Sequence, residues 1–188
     1  MRFPKLLVVV IAIISAVVAY AGEKANFTGQ WTLNQEKSKF DDMGPAFLPA
    51  TMVVAQIDNE LTVQKTFKSD FADDFTAEEK MTLDGQECKS EFWNSPRITT
   101  ALWTENGDTL TIDSKTKFDM DGETSEMILK EKWTLAEEGN LLLIKHFSSS
   151  NFGERKITIA YSKMEAKKDE PAPAAEEKPE EAAKEEQK

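Results

Sequence analysis

The sequence predicts an all-β protein, an antiparallel up-and-down meander of about 8–10 strands closed into a barrel. Three observations predict it. Short runs rich in Thr, Val, Ile and aromatic residues recur with the period-two alternation of half-buried strands. Turn dipeptides separate them at Asp58-Asn59, Asp84-Gly85, Asn106-Gly107, Asp121-Gly122, Gly139-Asn140 and Phe152-Gly153, and such pairs tolerate the positive φ angles of tight hairpins. No long stretch of helical period interrupts the series. Consecutive strands are therefore expected to pair with their neighbours, and a sheet of that length curls shut, which removes the edges that would recruit other chains.

Residues 1–21 read as an export signal, because Arg2 and Lys5 precede an apolar run over 6–18 that ends in the small-residue pattern Ala19-Tyr20-Ala21. That run is shorter than the roughly 18–20 residues of a membrane-spanning helix. The mature chain is expected to start at Gly22, to carry no membrane span and to be exported, periplasmic or extracellular. Residues 22–164 have the size of one domain with one core.

In the first strand, Phe27, Gly29, Trp31 and Leu33 alternate with Thr28, Gln30 and Thr32. Gly29, two residues before the indole, leaves room for the ring to lie over the backbone. Further strands are expected near 51–57, 60–68, 78–84, 87–93, 97–104, 109–118, 123–135, 140–148 and 154–163, after the first at 27–34. Two stretches fall outside the meander. In 38–50, Gly44-Pro45 and Pro49 break any strand while Met43, Phe47 and Leu48 stay apolar; in 69–77, Asp70, Asp73 and Asp74 sit among Phe71 and Phe75. A weak repeat of about thirty residues relates the segments starting at Trp103-Thr104 and Trp133-Thr134, one hairpin's worth of chain. After Met164, residues 165–188 hold Glu, Ala, Lys and Pro without one aromatic or β-branched residue. Such a segment cannot bury enough apolar surface to offset its ordering entropy, so a disordered tail is expected.

The Gly29-x-Trp31 opening of a small all-β domain resembles that of lipocalins and fatty-acid-binding proteins, and the longer run Phe-Thr-Gly-Gln-Trp-Thr-Leu-Asn-Gln-Glu-Lys-Ser-Lys-Phe over 27–40 is similar to the start of secreted bacterial lipocalin-like proteins. The resemblance implies a lipocalin-like (calycin-type) barrel. It also implies that 38–50 lies over the barrel mouth as a lid; a loop whose apolar residues plug that end is the alternative. In lipocalins an arginine from near the end of the barrel packs across the Gly-x-Trp indole. By that resemblance Gly29, Trp31 and Arg155 are closure elements, with Arg97 as the alternative arginine.

Composition excludes several functions. The formal net charge is −11, and losing Arg2 and Lys5 makes it two units more negative, which disfavours nucleic acid and anionic membranes as partners. The single cysteine, Cys88, excludes an internal disulfide and leaves a buried thiol or an intermolecular bridge. Burial is expected. The one histidine, His146, inside a strand, reads as an ordinary surface residue, and no nucleophile elbow, zinc-protease motif or phosphate loop is present. No enzyme activity and no cofactor are expected. Asp119-x-Asp121-Gly122-Glu123 and Asp70-x-x-Asp73-Asp74 offer oxygen ligands, but neither continues as a calcium loop, so no metal is expected.

Charge in apolar register is more informative. If Leu61, Val63 and Phe67 face inward so does Lys65; the same count sets Glu131 between Leu129 and Trp133, and Lys145 between Leu143 and Phe147. Buried charge is costly unless paired or used. One reading is a polar clamp for a ligand headgroup such as a carboxylate, with Lys65, Phe67, Trp93, Glu131 and Lys145 as ligand-binding residues. The plainer reading is that bulges shift the register, or that these positions lie at strand ends where long side chains reach water. Two functions follow: an exported module binding a small hydrophobic or amphipathic molecule in its barrel, or a non-enzymatic cell-envelope structural or protein-interaction module whose barrel is filled by its own side chains.

Overall fold

The computed structural model describes residues 24–69, 73–120 and 123–164. The leader, the tail, Asp70, Phe71 and the Asp121-Gly122 turn lie outside the described residues. Ten strands follow in chain order: β1 (Gly29–Leu33), β2 (Thr51–Ile57), β3 (Glu60–Phe67), β4 (Phe75–Thr82), β5 (Cys88–Phe92), β6 (Ser95–Trp103), β7 (Thr109–Met120), β8 (Glu123–Ala136), β9 (Leu141–Ser150) and β10 (Gly153–Lys163). A 3-10 turn at Glu137–Gly139 joins β8 to β9. The expected strand near 78–84 begins earlier, at Phe75, because the ladder with β3 runs on to Phe67 opposite Phe75.

All ten strands form one antiparallel sheet in the order β4-β3-β2-β1-β10-β9-β8-β7-β6-β5. The first strand and the last pair directly, with Trp31 opposite Lys163. The sheet therefore curls into a nearly closed barrel whose seam falls between β4 and β5, in mid-sequence. Every consecutive pair of strands is a ladder except this one. Asp84-Gly85 does not make a tight hairpin: Gly85 N–H donates to Ala101 O at 2.9 Å, and Asp84 bridges Leu102, so the connection crosses to β6. Across the seam side chains replace the ladder. Thr82 N–H donates to Cys88 Sγ at 3.3 Å, and this thiol is half-buried where full burial was expected.

The inward-facing positions fall into layers. At the end holding the β2–β3, β6–β7 and β8–β9 turns the interior is apolar, with Leu61, Val63, Leu110 and Leu142 almost fully buried. Phe27, just before β1, closes this end: its ring lies edge-on to Trp133 and parallel to Trp103 at 5.6 Å. Trp31 Nε1 donates to Phe27 O at 3.0 Å, which satisfies the buried indole. The opposite end, where the 38–50 segment and the β5–β6 and β9–β10 turns lie, is the mouth.

The closure expectation fails for the arginine. Lys163, not Arg155 or Arg97, covers the indole, with Nζ 5.5 Å from the ring centroid. Gly29 makes room for that lysine: a Cβ there would lie 2.9 Å from Lys163 Cε, and its φ of +152° suits only glycine. Arg155 stands too near the mouth to reach Trp31. Its guanidinium instead holds the 38–50 segment, donating to both Asp41 carboxylate oxygens, to Ala46 O at 2.9 Å and to Gly44 O.

Candidate functional site: a polar belt beneath a cavity at the barrel mouth

Halfway along the barrel the strands turn polar side chains inward. Along β3 the inward series is Leu61, Val63, Lys65 and Phe67; along β4 it is Met81, Glu79 and Ala77; along β6 it is Ala101, Thr99 and Arg97. Lys65, Glu79, Arg97 and Glu131 are all buried. They are paired rather than left uncompensated, as the cost of buried charge demands. Glu79 takes Lys65 Nζ at 3.0 Å on one oxygen and Arg97 Nη1 at 2.7 Å on the other. Because Glu79 lies on β4 and Arg97 on β6, this ion pair spans the seam.

Glu131 forms the second half of the belt. Its oxygens receive Trp133 Nε1–H at 3.0 Å and face His146 Nδ1 at 3.1 Å. Burial alone would push this carboxyl up. The His146 hydrogen bond, the nearby Lys65 charge, the His146 charge and the Trp133 hydrogen bond outweigh it and hold the pKa down at about 2. Between the two halves, Thr99 and Ser114 share a hydrogen bond at 2.9 Å.

Above the belt a cavity of about 870 Å³ opens to the mouth. Lys65, Glu79, Arg97, Glu131 and His146 form part of its wall, and Phe67, Phe92, Phe118, Met127 and Leu129 line it closer to the opening. The 38–50 segment roofs it with Met43, Phe47, Leu48 and Pro49, held by Arg155 and by Tyr161 Oη–H, which donates to Pro49 O at 3.0 Å. Burial, then the Glu131 charge, keep this phenol protonated by raising its pKa. At the rim Phe47, Trp93 and Phe152 are 75%, 56% and 86% exposed. A second, more open depression of about 470 Å³ lies over the seam and shares Glu79, Phe92 and Trp93 with the cavity wall.

Of the five ligand-binding residues expected from the sequence, the fold brings Lys65, Phe67, Trp93 and Glu131 to this cavity. Lys145 is not among them; it is exposed on the outer face of β9. Its register is set by pairing: Trp133 lies opposite Ile144 and Glu131 opposite His146, so Leu142, Ile144, His146 and Ser148 point inward. Leu143 and Phe147 point outward, where Lys156 Nζ covers the Phe147 ring at 5.2 Å. His146 is consequently an interior residue, contrary to the surface position expected. Glu79 and Arg97 join the site beyond the residues expected; the signal for Glu79 is its strand parity with Met81 and Leu83, and Arg97, the alternative partner for Trp31, belongs to this belt instead. Among the described residues no group of three or more His, Cys, Asp or Glu side chains could hold a metal ion, and no helix is long and apolar enough to cross a membrane.

No family model matches the sequence, and no curated protein matches it significantly. Among solved structures, the crystal structure of zebrafish ileal bile acid-binding protein complexed with cholic acid is similar with a TM-score of 0.39 and 12% sequence identity, over 73% of this chain and 98% of that one.

Proposed function

We propose that this is an exported, non-enzymatic binding protein that takes up one small, elongated, amphipathic molecule through the barrel mouth. The single observation that supports the reading is the cavity of about 870 Å³, within the ~300–1,000 Å³ range of small-molecule sites. Its wall is apolar near the opening and polar at its floor, the arrangement that suits a molecule with one polar end. A barrel filled by its own side chains would leave no such space, which weighs against a purely structural envelope module.

The test is titration of the protein with an environment-sensitive lipid probe and with fatty-chain competitors. Uptake at micromolar concentration is expected. Lys65→Met, in the wall, should change the affinity several-fold, and Lys145→Met, on the outer face, should leave it unchanged. No uptake at micromolar concentration rejects the binding reading and leaves the envelope module in its place.

A further inference from the structure

Three large aromatic side chains stand exposed around the barrel mouth on three separate segments: Phe47 on the roof, Trp93 in the β5–β6 turn and Phe152 in the β9–β10 turn. All three also line the cavity, so apolar surface leads from the rim down the wall to Phe118 and Met127. Large apolar groups gathered in water at one opening mark a contact surface. Two of them are held there against the preference of the backbone. Phe47 has φ +63° and Trp93 φ +48°, the left-handed region that bulky residues avoid. Trp93 and Asn94, both at positive φ, form the two-residue link between Phe92 and its partner Ser95, a turn whose first position favours Asn, Asp or Gly. The sequence puts an indole there instead, stacked on Phe92 and still more than half exposed. Strain of this kind clusters where proteins bind.

Charge selects the partner. The ionised neighbours of the three rings in the chain are acidic or paired: Arg155 binds Asp41, Lys156 binds Glu154, and Asp42 and Glu91 are exposed. With a formal net charge of −11 on the chain, this end repels both a second copy of itself and an anionic membrane. A zwitterionic bilayer fits it. The outermost group of phosphatidylcholine or phosphatidylethanolamine is a cationic ammonium, which the carboxylates attract, and beneath it lies the layer where Trp and Phe side chains are favoured. We propose that the barrel mouth docks on a zwitterionic lipid surface, with Phe47, Trp93 and Phe152 entering the headgroup layer. An amphipathic molecule then passes between bilayer and cavity without crossing water, a crossing whose cost grows with every methylene exposed. The docking goes beyond the binding reading and is measured separately from uptake into the cavity.

The test is flotation with vesicles of phosphatidylcholine, and with vesicles rich in phosphatidylglycerol, of the chain from Gly22 onward, which holds all the described residues and lacks the apolar run over 6–18. Flotation with phosphatidylcholine is expected, weakened by the anionic lipid. Phe47→Asn, Trp93→Asn and Phe152→Ser combined should lower the partition coefficient about tenfold or more, because binding scales with the apolar area inserted. Ile57→Asn, which removes an exposed apolar side chain at the closed end, should leave it within about twofold. Asn adopts left-handed backbone more readily than an aromatic residue does, so the combined variant should fold, and a retained circular dichroism spectrum separates lost docking from unfolding. If it does not fold, Trp93→Asn alone, with a loss of about threefold, carries the comparison. Flotation that survives the substitutions, or that requires the anionic lipid, overturns the proposal. Absence of flotation by the unaltered chain overturns it too: a dimer in sedimentation that the combined variant loses then assigns the rim to a second copy, and a monomer leaves it to a protein partner. Probe uptake without flotation keeps the binding reading and removes the docking; flotation without probe uptake does the reverse.

Discussion

Replacing Glu131 by Gln tests the belt most directly, because the pH dependence of its effect is fixed by the geometry. Glu131 receives Trp133 Nε1 and His146 Nδ1 within 3.1 Å and has Lys65 close by. Despite its burial the carboxyl is held at about 2, against an ordinary value of 4.5. A carboxyl whose folded-state pKa is depressed favours the folded state while ionised. That contribution is fully present above the unfolded value near 4.5 and is lost as pH falls through the folded value near 2. The difference amounts to about 3 kcal/mol at neutral pH, on the order of 10 °C in Tm for a domain of this size. Gln keeps an oxygen for the indole N–H but not the charge that faces Lys65. Thermal unfolding followed by circular dichroism at steps from pH 7 to pH 2 should therefore show Glu131→Gln less stable by about 10 °C at pH 6–7. The gap should narrow below pH 4.5 and be nearly gone at pH 2. A gap that stays constant with pH, or a variant as stable as the parent at pH 7, would refute the argument that Glu131 is a paired, ionised interior group.

Arg155→Met should free the roof of the cavity, since Arg155 is the side chain that binds Asp41, Gly44 and Ala46. Native-state proteolysis within 41–47 should quicken about tenfold, the equivalent of ~1.4 kcal/mol in local opening, and an unchanged rate would mean that the remaining ties, Tyr161 to Pro49 and Lys39 to Thr158 among them, hold the segment. Gly29→Ala should lower stability by about 1–3 kcal/mol through backbone strain at positive φ and contact with Lys163; an unchanged urea midpoint would show that the strand relaxes there at no cost. If the chain is exported as proposed, intact-mass measurement on protein recovered outside the cytoplasm should find residues 1–21 missing, and retention of Met1 would count against the leader. Truncation after Met164 should leave Tm unchanged, the outcome expected from the composition of residues 165–188, whereas a loss of several degrees would mean that the tail docks.

The sequence alone settled what repeats within a strand. Turn dipeptides and period-two alternation marked ten strands at nearly their observed places, and parity relative to Leu61 and Val63, or to Trp133, offered an inward Lys65 and Glu131 as one of two readings, which the unbulged ladders then selected over the plainer one. Parity failed at Leu141-Leu142-Leu143-Ile144, where four apolar residues in succession mark no face. Only the pairing of β9 with β8, Glu131 against His146, chose the inward side and sent Lys145 to solvent. Shifting a strand by one residue exchanges its two faces, and that choice is made between strands, not within one. Tertiary structure also decided where the barrel stays open, which arginine spans the seam, and that Lys163 rather than Arg155 covers Trp31. The residues involved lie far apart in sequence, so their meeting depends on how the whole sheet curls. The cavity volume depends on it as well, because strand number and alternation give the same inward-facing series whether its side chains meet across the barrel or leave space between them.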